Sequence, residues 1–153
     1  MRHLFALSLL AGALAACGDG SGPSDVIAAE IAGNWQAAPS CLPECGFTLI
    51  RIDNPADSVN FVSGLQQTFL LLLSTTGRFE LTAASGAGSV RGQAHTEGTL
   101  LIMRDDAGAQ DTADYTLAGE YLTLAFRGVT EQFDFDADGV GDPSRVRARF
   151  ERQ

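Results

Sequence analysis

From residue 47 to the end, apolar and polar residues alternate with a period of two in short runs, at 47–52, 68–74, 78–83, 90–96, 99–104, 113–118, 121–126, 131–136 and 145–152. Side chains of a strand point to opposite faces in turn, so each run describes a strand with one face buried and one wet. The breaks are hairpin chemistry: Ser-Thr-Thr-Gly at 74–77, Glu-Gly at 97–98, Ala-Gly-Glu at 118–120 and Asp-Gly at 138–139. With 34–37 as a first strand, the pattern predicts about nine or ten short strands and no long helix. Consecutive strands joined by tight turns form an antiparallel meander. Closing the meander removes the exposed edges that invite aggregation, so a small all-β, up-and-down barrel is expected, with a two-sheet sandwich as the other solution of the same pattern.

The β pattern does not cover the first residues. Positions 1–16 carry a basic start (Arg2, His3) and an apolar run too short to span a bilayer, the build of a secretory signal. The run ends in Leu14, Ala15, Ala16 and Cys17, which resembles the lipobox of bacterial lipoproteins. That resemblance implies cleavage before Cys17, lipidation of its thiol, and anchoring in the cell envelope. Gly18 stands where that family's inner-membrane retention signal has Asp, which implies the outer membrane. The segment 17–30 then reads as the lipidated residue and a Gly/Ser/Pro-rich tether, with a short helical turn expected at 24–32. The barrel domain is expected over 31–153.

Gly33-Asn34-Trp35, opening the first strand, resembles the Gly-x-Trp signature of lipocalins and of lipocalin-like domains in bacterial lipoproteins. The later rhythm GTLLIMRDD, DYTLAGEYLTLAF and FDFDADG is similar to those domains too. The resemblance implies a lipocalin-like barrel that binds a small apolar ligand or lipid. It also implies that Trp35 closes one end of the barrel under an Arg from the last strand. If Val146, Ala148 and Phe150 face inward, Arg152 has the matching parity, and a cation–π contact with Trp35 is expected.

Cys41 and Cys45 lie beyond the lipobox, in an oxidising compartment where neighbouring thiols pair, so a disulfide closing a short loop is expected. The sharper alternative is a copper or redox Cys-x-x-x-Cys site. It needs a histidine ligand and helices; the one histidine beyond the signal is His95, read as a surface strand residue.

The stretch FDFDADGVGD at 133–142 has two readings. Counting from Asp134, carboxylates fall at positions one, three, five and nine (Asp134, Asp136, Asp138, Asp142), with the Val140 carbonyl at seven, as EF-hand-type loops present oxygen to calcium. The spacing is also similar to the Asp-x-Asp-x-Asp-Gly loops of FG-GAP repeats. Position twelve is Arg145 where a tight site needs Glu, so at best a weak structural Ca²⁺ site of roughly 10⁻⁴ to 10⁻³ M is expected. The other reading is a hairpin tip with Phe133 and Phe135 inward. Both hold together if a cation relieves the repulsion.

Elsewhere, 69–73 is an unbroken Phe-Leu-Leu-Leu-Leu run, with Phe69, Leu71 and Leu73 expected inside and Leu70 and Leu72 outside. Phe79, Leu81, Tyr115, Leu117, Leu122, Leu124 and Phe126 are the expected interior, which could leave a cavity or fill it. No catalytic motif is present, and Asp105 and Asp106 fit turn chemistry. An enzyme is not expected. An excess of 19 acidic over 10 basic residues, all ten of them Arg, excludes nucleic acid as a partner. Besides ligand binding, two roles stay open: a protein-interaction module, such as an inhibitor of a basic envelope-directed hydrolase, or a structural lipoprotein without a discrete ligand.

Overall fold

The structure, a computed structural model, describes residues 26–38, 46–83 and 88–153, without the side chains of residues 131 and 132. Cys17, Cys41 and Cys45 therefore lie outside the described residues, together with the expected lipidation and disulfide.

The described chain is all-β, with strands β1 (Gly33–Ala37), β2 (Gly46–Arg51), β3 (Ser58–Asn60), β4 (Phe69–Leu73), β5 (Arg78–Ala83), β6 (Gly88–Glu97), β7 (Leu100–Asp105), β8 (Gln110–Ala118), β9 (Tyr121–Phe126), β10 (Thr130–Phe133) and β11 (Asp142–Arg152). All pairings are antiparallel, and the meander β4 to β9 follows chain order. The first strand pairs with the last, Trp35 opposite Arg152 and Ala37 opposite Phe150, so the wall β1-β4-β5-β6-β7-β8-β9-β11 closes into an eight-stranded up-and-down barrel. The expected closed barrel is the fold, and the sandwich is not.

β11 spans the full height of the wall. On one edge it pairs with β1 and then β2; on the other with β9 and then β10. The β2–β3 hairpin thus follows β1 along the same edge of β11, with Ala38 N donating to Arg149 O and Gly46 paired with Arg149.

Burial follows the period-two reading. β4 alternates strictly, with Phe69, Leu71 and Leu73 buried and Leu70 and Leu72 exposed at 43% and 42%. The core joins these residues to Trp35, Phe79, Leu101, Met103, Ala113, Tyr115, Leu122, Leu124, Ala148 and Phe150. Each large apolar side chain taken from water contributes about 1.5–3 kcal/mol, so these inward rows hold the barrel together. Leu117 departs from the expectation: near the end of β8 it is 37% exposed, although Leu122, directly opposite it on β9, is fully buried.

Two local features differ from the sequence reading, and the expected short helical turn is present. β3 is an additional strand. The run expected at 131–136 ends as a strand at Phe133. In 26–32 the helical segment is a single turn, in which Ala28 O accepts from Ile31 N and Ala32 N.

Candidate functional site

The two ends of the barrel are built differently. At one end the residues before β1 cross the opening. Ile27 and Ile31 are buried, Thr96 N donates to Val26 O at 3.2 Å, and Ala28 N donates to Thr96 Oγ1 at 3.0 Å. The packed lead-in therefore reaches back to Val26.

Trp35 lies beneath this lead-in, 1% exposed, with its indole N–H donating to Ile31 O at 2.9 Å. The Arg152 guanidinium covers its ring at 4.2 Å from the centroid. The same guanidinium donates to Ala32 O at 3.0 Å and Glu30 O at 2.6 Å, tying the last strand to the lead-in. Gly33 makes this possible twice over. Its φ is +147°, and a Cβ there would stand 2.9 Å from Arg152 Nη1. The glycine and the tryptophan of the Gly-x-Trp motif are thus two parts of one arginine seat. Tyr115 completes this end, its hydroxyl donating to Gly98 O at 3.0 Å; burial first, then the nearby Glu30, pushes its pKa up.

The opposite end is open to a cavity of about 520 Å³ inside the barrel, within the roughly 300–1,000 Å³ span of small-molecule sites. Leu71, Phe79, Leu81, Met103, Leu124 and Phe150 line its depth. Phe47 and Phe61 flank it, in a cluster where Phe47 stacks on Phe69 at 4.5 Å between centroids and Phe61 meets both rings edge-on. At the mouth the wall turns small and polar, with Asp105, Ala109, Asp111, Gly128, Val129 and Thr130. Of the expected interior, Phe79, Leu81, Leu124 and Phe126 border the cavity, while Tyr115 and Leu122 pack toward the closed end.

The acidic loop 134–141 joins β10 to β11 outside this cavity. Carboxylate oxygens of Asp134, Asp136 and Asp138 lie within 4.8 Å of one another. The loop uses them on itself. Asp134 accepts from Gly139 N at 2.7 Å and from Asp138 N at 3.1 Å, and Asp138 accepts from Val140 N at 2.8 Å. The Gly139 N–H, then those of Asp138 and Ala137, hold the Asp134 carboxyl below the usual carboxylate range, against some desolvation. Asp142, 9% exposed, stands apart from that trio: it accepts from Phe135 N at 2.7 Å and binds Arg51 Nη2 at 2.8 Å. Val140 is 65% exposed. Phe133 and Phe135 meet edge-on at 4.8 Å.

Arg51, which sequence reasoning did not single out, stands among four carboxylates. It reaches Asp53 and Asp142 at 2.8 Å, Asp136 at 3.1 Å and Asp57 at 3.7 Å. A cation therefore already answers part of the repulsion in the loop, and it is a side chain. The end of β2 stands opposite the start of β11 in the register, with Arg51 paired to Ser144, a proximity that no local pattern discloses.

The other marked residues are surface chemistry. His95 Nε2 lies 3.3 Å from Glu97 on β6. Asp105 Oδ1 accepts from Ala109 N at 2.7 Å, the expected turn chemistry. No protein-family model matches the chain, and no curated protein matches it.

Proposed function

We propose that the protein is a membrane-anchored envelope lipoprotein whose lipocalin-like barrel binds a small apolar ligand or lipid. The observation that carries the reading is the cavity: apolar at depth, open at one end, and closed at the other by the lead-in, Trp35 and Arg152. Deep apolar walls give affinity through burial, and a few polar groups at the mouth set orientation. The Trp35 and Arg152 contact adds support, because the lipocalin resemblance implies that pair.

Anchoring rests on the lipobox at Leu14 to Cys17. Its several acyl chains give stable attachment at roughly 0.8 kcal/mol per buried CH₂. A tether before Val26 joins the barrel at its closed end, so ligand enters from the end remote from the tether. Metabolic labelling with palmitate tests the anchor: the label is expected on the wild type and lost with Cys17→Ser. We propose binding rather than catalysis, since the cavity is apolar at depth and its polar groups, Asp105, Asp111 and Thr130, stand at the rim.

Native mass spectrometry of the purified protein tests the function. A one-to-one adduct that survives purification and is stripped by organic solvent is expected. A bare mass, joined to salt-sensitive capture by a basic lysozyme-like hydrolase, would instead make the barrel an interaction module.

A further inference from the structure

The class of ligand is written at the mouth of the barrel. On β7 the inward row runs Leu101, Met103, Asp105, and on β8 it runs Asp111, Ala113, Tyr115, with Met103 and Asp111 directly opposite each other. Two otherwise apolar inward rows thus each carry a carboxylate where the cavity opens. Asp105 commits one oxygen to Ala109 N. Among the described residues its other oxygen and the whole Asp111 carboxylate have no hydrogen-bond or ion-pair partner, and no basic residue lines the cavity. The nearby arginines are directed elsewhere: Arg104 alternates to the outer face opposite Gln110, and Arg91 pairs with Glu80 at 3.2 Å.

We propose that the cavity takes an amphiphile with a protonated amine or other cationic head, its tail among Leu71, Phe79, Met103 and Phe150 and its head between Asp105 and Asp111. The proposal rests on the cavity being a ligand site. An ammonium at this mouth makes charge-assisted hydrogen bonds to two carboxylates. A fatty carboxylate of the same length brings a third negative charge beside them, and an alcohol forms only neutral donor contacts. Rim pairs are partly solvated and screened by salt, so the preference is several-fold rather than thousand-fold.

The experiment compares heads on one tail. Dodecylamine and dodecanoate below their micellar concentrations, and dodecanol below its solubility limit, compete at pH 7 with N-phenyl-1-naphthylamine for the purified protein. The amine is expected to compete about fivefold better than the alcohol, and the alcohol better than the carboxylate. The amine's advantage is expected to fall within about twofold in Asp105→Asn/Asp111→Asn and at high salt. Asp111→Asn alone carries the same readout should the double variant fold poorly, because the turn hydrogen bond belongs to Asp105. Equal competition by all three, a preference for dodecanoate, or an amine preference untouched by the substitutions overturns the head-group assignment while leaving the cavity as a ligand site. No binding of the probe and no competition by any of the three overturns the cavity reading, and this proposal with it.

Discussion

Arg152 shows how much one side chain can join. Its guanidinium stacks on Trp35, binds two lead-in carbonyls, and fits only because residue 33 has no side chain. Arg152→Ala removes the cation–π contact and leaves Ala32 O and Glu30 O without this donor, costing about 1–3 kcal/mol. Calorimetry is expected to show a melting temperature lower by roughly 3–8 °C. Gly33→Ala should lower it too, by forcing a positive φ on alanine and crowding the guanidinium. In the double variant the losses should sum to less than the two singles, since both act on one contact; full additivity would separate them. The partnership of Trp35 and Arg152 could be read from a three-residue motif and strand parity. The reason for the glycine could not, because the collision it avoids joins residues at opposite ends of the chain.

At the scale of elements, period-two alternation located the strands of the wall, since each has one face on the interior. It failed where side chains compete with the ladder. Phe133 to Asp136 continues the alternation, yet the Asp134 carboxylate captures the N–H groups of Asp138 and Gly139 and turns the chain away. β3, three residues long, is too short to display a period. Because the folded pKa of Asp134 lies below its unfolded value of about 3.9, the stability it adds is full above that pH and is lost as pH falls through the lowered folded pKa. Asp134→Ala is therefore expected to melt below the wild type at pH 6, with the gap closing below about pH 4; a gap constant with pH would assign the loop's stability elsewhere. The same melts test calcium. If the trio takes up the ion in competition with its own hydrogen bonds and Arg51, millimolar calcium raises the wild-type melting temperature and Asp136→Ala/Asp138→Ala abolishes the rise. An unchanged wild-type melt leaves a hairpin tip stabilised by Arg51.

For the whole molecule, alternation and turn chemistry pointed to a meander, and the cost of open edges pointed to closure. The closing contact itself, β1 on β11, is between the two ends of the fold and has no local signature. The cavity was the least readable feature. Its volume depends on where inward rows meet small residues, as at Ala109 and Gly128, and that layering emerges only when eight strands are brought into register. The Asp105 and Asp111 pair could have been found by extending the inward parity of Met103 and Ala113 to the strand ends. The central claim is that the barrel interior is a ligand site, and a fluorescence titration with the neutral probe N-phenyl-1-naphthylamine tests it most directly. The account predicts saturable one-to-one binding to the wild type and its loss in Val146→Trp, which fills the cavity from β11. Absent or non-saturable binding, or binding that Val146→Trp leaves unchanged in a folded protein, would contradict it.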